Sequence, residues 1–117
     1  MRTQPLILAL AMLGLAGCAN DPAPNEQMRL SEQALEQAKA VGATEQVPEF
    51  KMAEDKLARA KTNMLTEDYR DARMRAEQSE LDARLAEARV LNQKSDEQLD
   101  VLQSRVKRLR KQLEVQP

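Results

Sequence analysis

From Thr66 to Gln116 the chain holds neither glycine nor proline. Those two residues are the usual interruptions of a helix, one through its backbone freedom and the other through its missing N–H and ring clash. A stretch of that length rich in Ala, Glu, Gln, Arg and Leu predicts one long α-helix. Unbroken, at 1.5 Å rise per residue, it would extend about 70 Å. Segments rich in strand formers are scarce and never alternate over a useful window. The fold class expected is all-α.

Two shorter helices precede it. The first is expected from about Asn25 to Val41, with Met28, Ser31, Leu35 and Ala38 on one face, ended by Gly42. The second opens at Pro48, which suits a first helical turn, with Glu49 at the positive end of the helix dipole. Phe50, Ala53, Leu57, Ala60 and Met64 then recur at spacings of three and four. Near Leu65 the pattern breaks, and Thr66 is expected to cap the third helix with Glu67 and Asp68 in its first turn.

The first half of the long helix carries two stripes. Tyr69, Ala72, Ala76, Ser79, Ala83, Ala86 and Val90 form one; Met74, Leu81, Leu85 and Ala88 form the other. Two apolar stripes fit contact with two neighbours, so both earlier helices are expected to pack here, as an antiparallel bundle. Alanines allow close approach but bury little area each. With one Phe, one Tyr and no Trp in the chain, a small bundle of this kind is modestly stable.

In the second half, Leu99, Leu102, Val106, Leu109 and Leu113 follow the alternating spacing of a coiled-coil seam. Carried backward, the frame meets Leu85 and Ala88 and then the polar Asn92 and Ser95, either a weak spot or a register-setting point. No segment remains to cover this seam, so the tail is expected to meet another copy or another protein. The alternatives are a first helix that folds back along it, or fraying in isolation. The run "RVKRLRK" sets five positive charges, Arg105, Lys107, Arg108, Arg110 and Lys111, among seven residues. Val106 and Leu109 interleave them at heptad positions, as in the solvated flank of a coiled coil. In a leucine-zipper transcription factor the basic region precedes the zipper, so no nucleic-acid partner is expected; an acidic envelope partner is the functional option.

The chain begins "MRTQPLILALAMLGLAGC": a positive charge at Arg2, an apolar run from Leu6 to Leu15, then small residues before Cys18. That is the order of a secretory signal. The run is about a dozen residues, against roughly 20 for a helix that spans a bilayer. Leu15-Ala16-Gly17-Cys18 resembles the lipobox of bacterial lipoproteins. The resemblance implies that residues 1–17 are removed and that Cys18, the chain's one cysteine, carries a diacylglyceryl group on sulfur and an acyl group (palmitate-like) on nitrogen. More than one acyl chain makes membrane residence stable. By the sorting rule of such lipoproteins Ala19 favours the outer membrane, on its periplasmic face; Asn20 and Asp21 bear on that rule in some bacteria. Pro22 and Pro24 then bias residues 18–25 toward an extended tether.

A wider resemblance rests on "ALEQAKAVGATEQVPEFKMAEDKLARAKTNMLTEDYRDARMRAEQSELDARLAEARV". From about Leu30 to Val90 the chain resembles a family of bacterial lipoproteins of Gram-negative envelopes with a short helical domain called DUF4398. Pro48, Leu57, Ala58, Ala60, Asp68, Tyr69, Ala72, Arg73, Ala76, Glu77, Ala83 and Ala86 stand at matching places. Glu67 replaces the usual glycine before "DY", which implies a turn capped differently. The family carries no assigned function. The "DYRDAR..AEQ" segment also resembles half of a tetratricopeptide repeat, but a single unit cannot form a concave binding surface.

Chemistry finds little support in these residues. There is no His, and proton transfer or nucleophilic attack needs a poised group. Glu77 with Glu80, and Glu32 with Glu36, share helix faces but read as solvated charges beside Lys and Arg. No enzyme activity, cofactor, metal or small-molecule substrate is therefore expected. The organisation expected is residues 1–17 signal peptide, 18–25 lipidated cysteine and tether, 26–91 helical domain and 92–117 heptad-patterned tail. The function expected is non-enzymatic: a helical docking or assembly module, or a spacer between outer membrane and peptidoglycan. The chain also resembles Braun-type lipoproteins, but those end in a wall-linked lysine and this one ends "EVQP", so any wall contact is expected to be non-covalent.

Overall fold

The computed structural model describes residues 21–115. Three helices account for them: α1 (Asn25–Ala40), α2 (Pro48–Leu65) and α3 (Tyr69–Glu114), with no strand among the described residues. The expected signal peptide, Cys18 and the start of the expected tether lie outside the described residues, as do Gln116 and Pro117.

Local chemistry sets the ends of α1 and α2. Glu26 in the first turn and Lys39 in the last suit the dipole of α1. That helix closes in a Schellman turn: the N–H of Gly42 donates to the Lys39 carbonyl at 2.9 Å and that of Ala43 to the Ala38 carbonyl at 2.9 Å. Gly42 has φ +103°, a conformation that favours glycine. Pro48 opens α2 behind Val47, with Glu49 in the first turn.

The turn between α2 and α3 departs from expectation. Thr66 is the C-terminal cap of α2, its hydroxyl donating back to the Asn63 carbonyl at 3.2 Å. Glu67 takes the left-handed position at φ 60°. The N–H of Asp68 donates to the Asn63 carbonyl at 2.9 Å, and that of Glu67 to the Met64 carbonyl at 3.3 Å. This is the same Schellman geometry as at Gly42, with glutamate where glycine is usual. Helix α3 thus begins three residues past Thr66, behind Asp68, whose side chain makes no capping bond.

Contacts fix the directions. Gln27 meets Glu80 at one end of α1, and Val41 meets Lys94 at the other, so α1 runs parallel to α3. Ala53 lies against Ser79, and Glu49 against Arg89, so α2 runs antiparallel to both. The bundle is up-down-up.

Its core is largely alanine. Ala38, Ala53, Ala60, Ala72, Ala76, Ala83 and Ala86 have no exposed surface, and Leu35, Phe50 and Leu57 supply the bulk. Methyl-sized side chains let three helices close on one another while burying only about one methylene's worth of transfer energy each. Both short helices straddle the single stripe from Ala72 through Ala76, Ser79 and Ala83 to Ala86. The expectation that Met74, Leu81, Leu85 and Ala88 serve the second neighbour is therefore corrected. Alanine is small enough for α1 and α2 to share one seam, and Met74, Leu81 and Leu85 stay exposed.

Candidate docking surface

Helix α3 runs unbroken through Asn92 and Ser95, so those polar residues do not divide it. Bundle contact ends at Lys94, whose ammonium donates to the Val41 carbonyl at 2.6 Å and so caps the last turn of α1. From Leu91 to Val115 every residue is exposed. The predicted seam is intact and uncovered: exposure runs from 46% at Val106 to 73% at Leu113, with Leu99, Leu102 and Leu109 between. α1 does not fold back along it, because α1 is spent on the bundle seam.

The seam is longer than the tail. Stepping back by sevens from Leu102 gives Ser95, Ala88, Leu81 and Met74, and from Leu99 gives Asn92 and Leu85. The same line along α3 therefore carries the exposed Met74, Leu81 and Leu85 into the exposed Leu99–Leu113 stripe. The bundle seam, from Ala72 to Ala86, occupies another face. Leu85 and Ala88 are in the tail's frame as the sequence reads it; that Met74 and Leu81 continue the same line is the part sequence reasoning misses, although their heptad register with Leu102 is a signal that finds it.

Charge is unevenly spread along the tail. Asp96, Glu97 and Asp100 come first, and Arg105, Lys107, Arg108, Arg110 and Lys111 follow them toward the tip. All eight are exposed, the basic ones interleaved with Val106 and Leu109.

The carboxylate pairs are dispersed into ion pairs. Glu32 meets Lys61 at 2.7 Å and Glu36 meets Lys39 at 3.7 Å. Glu80 accepts from Gln27 at 2.6 Å and from Arg84, while Glu77 faces solvent. Glu26 is held below the usual carboxylate range by hydrogen bonding from Arg29 on an open surface. Among the described residues no three His, Cys, Asp or Glu side chains converge on a metal-sized site. No described helix is long and apolar enough to cross a membrane.

A family model described as a domain of unknown function, DUF4398, matches residues 26–102. It covers the bundle and the first part of the exposed seam. A crystal structure of a DUF4398 family protein from Pseudomonas aeruginosa PAO1 is similar at 65% identity and a TM-score of 0.77, over 79% of this chain and 96% of that one. No curated protein matches.

Proposed function

This chain belongs to the DUF4398 family, and we propose that it is a non-enzymatic, outer-membrane lipoprotein of the periplasm that works as a helical docking or assembly module. The observation that carries the reading is the exposed heptad seam on a helix that leaves its bundle at Lys94. An apolar line of that length on a solvated helix gains by meeting a partner. Lipid on Cys18 supplies the anchor, the bundle supplies a rigid mount, and α3 presents the seam. The mechanism is positioning.

A second reading, a spacer between outer membrane and peptidoglycan, is favoured by one relationship. Because α1 and α3 are parallel, the chain enters level with Glu80 and the tail tip lies beyond Glu114. At 1.5 Å per residue that separation is about 50 Å, directed away from the anchored end.

Labelling cells with a palmitate analogue tests the anchor. The full chain takes up label and fractionates with outer membranes, whereas Cys18→Ser does neither; equal fractionation of the two overturns the anchor. Sedimentation with purified sacculi separates the readings, since a spacer pellets with the wall and a docking module does not.

A further inference from the structure

We propose that the tail's partner is a second copy of this chain, paired antiparallel over residues 95–113; the inference deepens the docking reading and rests on it. The argument comes from the heptad frame and the order of charges.

Place Leu85, Asn92, Leu99, Val106 and Leu113 at one seam position and Ala88, Ser95, Leu102 and Leu109 at the other. The flanking positions that face a partner are then Arg84, Leu91, Gln98, Arg105 and Gln112 on one side and Arg89, Asp96, Gln103 and Arg110 on the other. A parallel, in-register pair sets each residue of the first side beside the partner's residue five places on. Arg84 would meet Arg89, and Arg105 would meet Arg110. Every pairing of two charges there is a like-charge contact, which selects against that arrangement.

The antiparallel arrangement reverses this. With Leu99 opposite Leu109 of the second copy and Leu102 opposite its Val106, four apolar layers stack with no polar residue among them. Leu113 then falls over Ser95 at each end. Asp96 lies beside Arg110 of the second copy, and the two-fold axis makes that pair occur twice. Gln103 meets its own copy. One like-charge contact, Arg105 with Arg105, remains at the centre. More broadly, the acidic segment from Asp96 to Asp100 lies along the basic segment from Arg108 to Lys111 of the other molecule. Shifting the pairing by one heptad toward the bundle brings Ser95, Ala88 and Asn92 into the layers and sets Arg89 against Arg110. Against that shift the stated register is favoured by packing and by charge, and the shift the other way gives up the Asp96–Arg110 pairs.

The overlap is short, so association is weak and depends on concentration. One feature helps it: the helix is already ordered by continuity with the bundle, which lowers the ordering cost of pairing.

The test uses residues 19–117; the similar crystal structure matches 79% of this chain, so a body of about this extent folds by itself. Sedimentation equilibrium is run over a roughly hundredfold concentration range, since a weak dimer dissociates within it. Expected is a monomer–dimer equilibrium, weakened at least about tenfold in Asp96→Arg and restored in the double variant carrying Asp96→Arg with Arg110→Asp. A spin label at Glu114→Cys reports direction by pulsed EPR. Antiparallel pairing separates the two labels by about 30 Å along the axis, whereas parallel pairing sets them side by side. Circular dichroism confirms that each variant keeps its helix content. A monomer at every concentration, a dimer indifferent to both charge variants, or side-by-side labels would each overturn the proposal. Palmitate labelling at Cys18 reads the anchor independently, so failure of the pairing is distinguishable from failure of the lipoprotein reading.

Discussion

The Ser79 hydroxyl donates to the Ala53 carbonyl at 2.7 Å across the buried α2–α3 contact. Both residues are fully buried, so this bond ties two helices at a point where water cannot substitute. Ser79→Ala is expected to lower unfolding free energy by about 1 kcal/mol. Ser31 is the control: equally buried, its hydroxyl has no partner. Ser31→Ala removes an unsatisfied oxygen and adds helix propensity, so stability is expected to hold or rise by a few tenths of a kcal/mol. Urea denaturation followed by far-UV circular dichroism measures both.

Glu67 sits at φ 60° in the turn between α2 and α3. A left-handed backbone costs a residue with Cβ about 1 kcal/mol more than it costs glycine. Glu67→Gly is therefore expected to raise the urea midpoint, with an unfolding free energy about 1 kcal/mol higher. Gly42 at φ +103° is the reverse case; the Lys94 ammonium nitrogen, 3.5 Å from where a Cβ would stand, makes only ordinary contact, so the cost is the backbone's. Gly42→Ala is expected to destabilise by at least about 1 kcal/mol.

Two ion pairs differ in burial and are expected to differ in worth. Lys56 and Asp82 join α2 to α3 at 2.5 Å with side chains 31% and 17% exposed. Asp82→Ala is expected to cost about 1 kcal/mol, a cost that shrinks as salt is added. Arg29 and Glu26 lie in open solvent. The lowered folded-state pKa of Glu26 makes its contribution complete above the unfolded carboxylate pKa and lost as pH falls through the folded value. Because the pair is fully exposed, Glu26→Gln is expected to leave the urea midpoint at pH 7 unchanged.

Much of this architecture was legible in the sequence because alanine stripes, Gly42 and Pro48 each signal through a local rule. The first helix ended within a residue of expectation, and the second began at Pro48 itself. Two features were not legible. Thr66 reads as an N-terminal cap by composition, yet a glutamate in a left-handed conformation moves the helix start to Tyr69; the residue type does not announce that strain, and only the family's usual glycine at this place hints at it. The role of Met74, Leu81 and Leu85 was also misread, because periodicity places residues on a face without saying which face the neighbours choose. Alanine's size decides that choice, and only three-dimensional packing reveals it. The uncovered Leu99–Leu113 seam was readable by elimination, since no segment remained to cover it.

Hydrogen exchange along α3 tests the central claim, that a second copy covers this seam, most directly. On residues 19–117 at low and high concentration, amides around the Ser79–Ala53 contact are expected to keep constant protection. Those from Leu99 to Leu113 are expected to exchange fast when dilute and slow markedly when concentrated. Fast exchange across Leu99–Leu113 at every concentration would contradict the account.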